Sequence, residues 1–182
     1  VDAYETPLGR IKIEKTVLEK LQKKTEMSSI KNDGEHAIEI HLPFLQRVVG
    51  GFTLVPVMAG HNDLAACSQF ARLLDECLPR QRVVVIASSD MHHLTNADEV
   101  EKKDKEFKDI LMTFNLDDIK KKMNDYSATI CGKFAILCML EFSRLRGANN
   151  ITVLSRTNSA KVSRHTTIGQ YTVGYLSAAV HP

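Results

Sequence analysis

The stretch RVVVIASSDMHHL, residues 82–94, decides how this chain is read. Val83 to Ala87 form an unbroken apolar run, β-branched except at its last position. A run of this kind, without polar alternation, predicts a strand covered on both faces. It discharges directly into Ser88, Ser89, Asp90, His92 and His93. In open α/β sheets, ligand crevices lie beyond the carboxyl ends of the strands. Aspartate accepts hydrogen bonds as a carboxylate, and histidine titrates near neutral pH and ligates metals. The end of this run therefore carries the residue types of an acid/base or metal site. A strand-end Ser-Ser-Asp is equally a turn sequence, with Asp90 as a cap and the histidines facing solvent. The local pattern leaves both readings open.

Working outward, the flanking segments alternate in type. Lys15 to Lys24 carries Val17, Leu18 and Leu21 among charges, which predicts an exposed helix with a narrow apolar stripe. In KNDGEHAIEIHLPFLQRVVGG, Asn32 and Asp33 are capping residues and Ile38, Leu42, Leu45 and Val49 recur at helical spacing. Pro43 inside that pattern bends the helix or restarts it, and Gly50 and Gly51 end it. FTLVPVMAG, residues 52–60, predicts a short buried strand. Residues 62–78 follow as a helix capped by Asn62, with Leu64, Cys67, Phe70, Ala71, Leu74 and Leu78 on one face.

Beyond the opening stretch, residues 98–114 predict a charged amphipathic helix with Val100, Phe107, Ile110 and Leu111 inward. Leu116 to Met123 predicts another. ICGKFAILCMLEFSRLRG is apolar nearly all round at first and ends in a cationic turn with a glycine stop. ITVLS and QYTVGYLSAAV are the last two strands. Strands alternating with helices predict one α/β domain in which a sheet lies between helices.

Bulk properties exclude several classes. The chain has 182 residues, enough for one domain with a core. Its net charge of +2 gives no basis for a nucleic acid or an acidic membrane as partner. No apolar run approaches the roughly 20 residues of a membrane helix. The start, VDAYETPLGR, has no apolar core of a signal peptide and no Met, so the expectation is a chain that begins inside a longer one. The four cysteines, Cys67, Cys77, Cys131 and Cys138, lack close paired spacing, so free thiols in a reducing cytoplasm are expected.

Other segments carry candidate chemistry. His36 and His41 are five residues apart, a poor helical spacing for two ligands, so at most one faces a site. A capping Glu35 with surface histidines explains the same residues. Cys131 precedes Gly132 at the expected beginning of a helix, where backbone N–H groups favour a thiolate. Cys67, Cys77 and Cys138 read as core. His61 follows a strand and a glycine, and either reaches the crevice or belongs to the loop before a helix. KVSRHTT, residues 161–167, is a solvated loop or an anion contact.

Together, TPLGRIKIE, GEHAIEIHLPFLQ, LVPVMAG, VVVIASSDMHHL, TICGKFAI and TVGYLSAAV resemble the successive motifs of the Memo family, mediators of receptor-tyrosine-kinase-driven cell motility with bacterial relatives. The resemblance runs from Thr6 to Val180. It implies a three-layer α/β/α sandwich similar to class III extradiol dioxygenases, formed by residues 1–182 without the family's N-terminal segment. It implies a crevice lined by Asp90 and His93 of the SSDxxH motif and by His36 of the EHxIE motif. Cys131 of the Cys-Gly motif matches a metal-ligand position, and two further ligand histidines belong to the family's N-terminal region, which nothing here matches. A soft thiolate with two imidazoles suits Fe(II), Cu or Zn, and Fe(II) or Cu is the cofactor expected here. Lys133 and Phe134 after the Cys-Gly pair depart from the family pattern.

Two functions follow from the resemblance. One is a metal-dependent redox role linked to cell signalling, with Asp90 orienting His93 as acid/base and Cys131 as metal ligand. The other is a non-enzymatic module that docks a signalling protein or phosphopeptide in the same crevice, with Arg156 and Arg164 as phosphate contacts. Ring opening is not expected, because a cysteine replaces a carboxylate in the ligand set and fold similarity does not license the chemistry. With a segment missing, one side of the sheet is expected to lack strands and to expose an apolar edge.

Overall fold

Pro7 and Leu8 turn the chain back on itself, and Gly9, at φ +116°, supplies a conformation that other residues rarely adopt. The hairpin so formed pairs β1 (Ala3–Thr6) with β2 (Gly9–Lys12) in antiparallel register. The Leu8 N–H donates to the Thr6 hydroxyl oxygen at 3.0 Å, which pins the turn. In this computed structural model the described residues are 2–30, 34–60, 63–163 and 171–182. The expected caps Asn32, Asp33 and Asn62, and the candidates His61 and Arg164, lie outside them.

The contacts divide the chain into two compact units, residues 1–60 with 73–83 and residues 61–72 with 84–182. In the first unit, α1 (Lys15–Gln22) buries Val17 and Leu21, as its apolar stripe predicts. A 3₁₀ turn over Glu39–His41 leads into α2 (Leu42–Val48). Pro43 sits in the first turn of α2, where its missing N–H costs nothing, so it restarts the helix rather than bending it. The expected strand at 52–60 does not form. Only Leu54 is bridged, to Ile13, and the chain on either side of it pairs with no strand. The helix α3 (Cys67–Cys77) begins among residues of the second unit and ends in the first.

The second unit holds most of the regular structure. Asn96 caps α4 (Ala97–Leu111), its side-chain oxygen accepting from the N–H groups of Asp98 and Glu99. Asn115 caps α5 (Leu116–Met123) in the same way. Helix α6 (Lys133–Leu145) buries Leu137, Cys138, Leu140 and Phe142, and Gly147, at φ +78°, terminates it. Each fully buried large apolar side chain contributes roughly 1.5–3 kcal/mol. The sheet has the order β3-β5-β4, all antiparallel, from β3 (His93–Leu94), β5 (Thr172–His181) and β4 (Asn150–Asn158). Between β4 and β5 lies a short helix, α7 (Ser159–Ser163). No helix among the described residues is long and apolar enough to cross a membrane. The described residues form a mixed α/β protein with small sheets, and no closed barrel occurs among them.

The run 83–87 corrects the first expectation from the sequence. It is not a strand covered on both faces: Val84 is 81% exposed and Ile86 48%, while Val83, Val85 and Ala87 are half-buried. Among the described residues none of its backbone groups has a hydrogen-bond partner. β-branched composition suits a strand, but a strand exists only with a neighbour to complete its ladder. Regular pairing begins six residues after the run ends, at His93.

Glu101 on α4 ties three elements together. It accepts hydrogen bonds from Arg156 and Asn158 of β4 and from Lys161 of α7, the last at 2.8 Å. Lys161 and Arg156 hold its carboxyl below the usual glutamate value of 4.5. The contribution of this cluster is therefore present above that pH and is lost as pH falls through the lowered value. Glu101→Gln is expected to cost about 1 kcal/mol at neutral pH, since the pairs are partly solvated. The difference from wild type should vanish in acid well below pH 4.5, as read by urea unfolding at both pH values.

Candidate functional site

Between residues 90 and 93 the backbone stops behaving like a ladder. The four successive N–H groups find their partners on three parts of the fold. The Asp90 N–H donates to Cys131 Sγ at 3.3 Å. The Met91 N–H donates to the Gly174 carbonyl of β5 at 3.0 Å. The His92 N–H donates to Asp104 Oδ1 of α4 at 3.0 Å. The His93 N–H donates to the Thr129 hydroxyl oxygen at 3.0 Å. The loop that carries the candidate residues is thus held by α4, by β5 and by the segment 129–131.

Cys131 is the exposed member of the four free cysteines. Ser89 Oγ lies 3.6 Å from its sulfur, accepts from the Gly132 N–H at 2.8 Å and donates to the Asp90 carbonyl at 2.7 Å. This contact explains the glycine of the Cys-Gly pair. A Cβ at position 132 would lie 2.5 Å from Ser89 Cβ and 2.9 Å from the Ser88 carbonyl oxygen. Any side chain there would push the Cys131 turn away from Ser89. The requirement is one of space, since the Gly132 φ of −89° is open to any residue. Immediately after it, Lys133 opens α6 half-buried, and burial lowers its pKa.

The structure sorts the other candidates. Asp90 is exposed and His93 half-buried, both on the same loop as the Cys131 contact, but neither the Asp90 carboxylate nor the His93 ring hydrogen-bonds to the other. The carboxylate–histidine pair of this region is a different one. His92 Nδ1 lies 2.8 Å from Asp104 Oδ1, and both residues are only 1% exposed. His36 belongs to the first unit, where its Nδ1 lies 2.6 Å from Glu39 Oε1 on the surface. Arg156 is held by Glu101 and is not free for a phosphate.

Sequence reasoning missed Asp104. The signal was present: Val100, Asp104, Phe107 and Leu111 share one helical stripe, all buried, and Asp104 is its one charged member. A carboxylate on an apolar stripe needs a partner, and a nearby histidine is the natural one. Gly174 makes room for it. A Cβ there would lie 1.6 Å from Asp104 Oδ2.

Among the described residues no group of three or more His, Cys, Asp and Glu is placed to hold a metal ion. What the arrangement offers is one accessible thiol, approached by a backbone N–H and a hydroxyl, beside an exposed carboxylate.

A mixed α/β protein that presents a cysteine against an Ser-Ser-Asp loop is the class defined so far. Comparison narrows it. The family model described as Memo-like protein matches residues 1–179. A MEMO1 family protein of Aquifex aeolicus is 30% identical over 180 residues, which cover 96% of this chain and 66% of the relative. One of Thermoplasma acidophilum is 32% identical over 185 residues, covering 96% and 64%. One of Caldivirga maquilingensis is 26% identical over 183 residues, covering 98% and 64%. The chain belongs to the Memo family and spans just under two thirds of the length of these relatives.

The thiols differ enough in setting to be separated by reaction. Burial pushes Cys67 up to about 11 and Cys138 up to about 12, so both stay protonated and shielded at neutral pH. Cys77 is buried as well. A single cysteine, Cys131, is expected to react with iodoacetamide in the folded protein at pH 7.5, with the rest reacting only after denaturation; peptide mapping by mass spectrometry checks the assignment.

Proposed function

We propose that this chain carries the thiol side of a metal-dependent redox site in a Memo-family protein, with Cys131 as the donor for Fe(II) or Cu. The observation that carries the reading is the exposed Sγ of Cys131, held against the Asp90 loop by a main-chain N–H at 3.3 Å. A thiolate suits Cu(I) and iron, and the half-buried His93 ring lies on the adjoining loop. By themselves the described residues do not make a metal site, since no three donors converge. The proposal therefore gives Cys131 the role of one ligand and routes no chemical step through the metal. Asp90 and His93 are assigned to the crevice wall as polar groups that meet a bound molecule. His36 is assigned to the same crevice by its motif alone.

The three-layer α/β/α sandwich is part of the proposal. It is supported by α4 and α6 both packing against β5. Free thiols throughout the described cysteines fit a reducing cytoplasm, and the link to cell signalling rests on the resemblance.

Metal content of the purified protein, in its full natural length, is compared with that of Cys131→Ala. The expected result is close to one Fe or Cu per chain, with a thiolate-to-metal absorption band, both lost in the variant. Equal metal in the two proteins removes Cys131 from the ligand set. No metal in either overturns the redox reading and makes the crevice a docking site for a protein or peptide partner.

A further inference from the structure

The Asp90 loop has an anchor outside the crevice. Asp104 lies on α4, and its Oδ1 accepts both the N–H and the ring Nδ1–H of His92, at 3.0 and 2.8 Å. One residue, Met91, separates His92 from Asp90, whose N–H meets Cys131 Sγ. Met91 is itself clamped to Gly174, which donates back to the His92 carbonyl at 2.8 Å. A short, fully hydrogen-bonded path therefore runs from a buried carboxylate to the exposed sulfur.

We propose that Asp104 is a positioning residue for Cys131: by fixing His92 it sets the Asp90 N–H against Sγ. The inference rests on the reading of Cys131 as the functional thiol, but it concerns geometry that exists without a metal. Three facts support it beyond simple packing. The carboxylate interrupts an otherwise apolar stripe, where an apolar residue would satisfy the core. It takes both donors on a single oxygen, so it specifies the position of the backbone and the tautomer of the ring at once. And β5 has a glycine at the one position where a side chain would displace the other carboxylate oxygen.

The loss of Asp104 has a direction. Without it the His92 N–H is buried and unpaired, and the loop shifts to satisfy it. The Asp90 N–H then leaves the sulfur, and Sγ loses the contact that fixes its place beside the Asp90 loop. Asparagine is nearly isosteric, and its Oδ1 can accept both donors.

The test measures alkylation of Cys131 by iodoacetamide at a temperature where each variant is folded, with unfolding curves run in parallel. Asp104→Ala is expected to slow the reaction about three-fold or more. Asp104→Asn is expected to restore the wild-type rate. A folded Asp104→Ala with the wild-type rate overturns the proposal, because a purely structural role lowers stability and leaves the thiol alone. An Asp104→Asn variant as slow as Asp104→Ala overturns it too, because geometry is then not the cause. Should Asp104→Ala fail to fold, Asp104→Leu, which fills similar space without an acceptor, reads the same path and should slow alkylation; an unchanged rate there is equally fatal. Metal content is scored separately, so failure of the metal reading leaves this outcome standing.

Discussion

Four successive backbone N–H groups, from Asp90 to His93, are held by three parts of the fold. The rest of the second unit is arranged to supply those acceptors. Helix α4 delivers Asp104, β5 delivers the Gly174 carbonyl, and the approach to α6 delivers Thr129 and Cys131. Buried N–H groups must be paired, so this segment cannot move unless several of its partners move with it. Two glycines complete the arrangement. Gly132 lets the cysteine turn come down onto Ser89, and Gly174 leaves the carboxylate its room.

Most of this fold is legible in the sequence, and the exceptions all concern strands. Helices α1, α4, α5 and α6 follow from local periodicity, and Leu116–Met123 is read to the residue. Local patterns suffice there because a helix satisfies its own backbone. Strands do not. The runs at 52–60 and 83–87 have strand composition, but among the described residues they pair with no strand beyond the single Leu54 bridge to Ile13, and composition cannot report what lies alongside. The first hairpin escaped for the opposite reason: Ala3–Thr6 is weakly apolar, and only the Pro-Leu-Gly turn marks it.

The candidate site divides in the same way. The meeting of Asp90 with Cys131 is foreshadowed by the motif pair, because both lie at ends of elements. The expected partnership of Asp90 with His93 is absent, and Asp104 with His92 stands beside it instead. Adjacent histidines in a loop point to different surroundings, and which one goes inward depends on an acceptor twelve residues away. The chain covers 66% and 64% of the length of two of the relatives it matches.

The unpaired run at 83–87 and the clamped loop at 90–93 are joined by two serines. Local stability therefore changes in a step along this one stretch. The Cys131 turn meets this stretch at the step itself, through Ser89 Oγ and the Asp90 N–H. Its place is set by the clamped half, and the run before Ser88 adds no backbone hydrogen bond to it among the described residues.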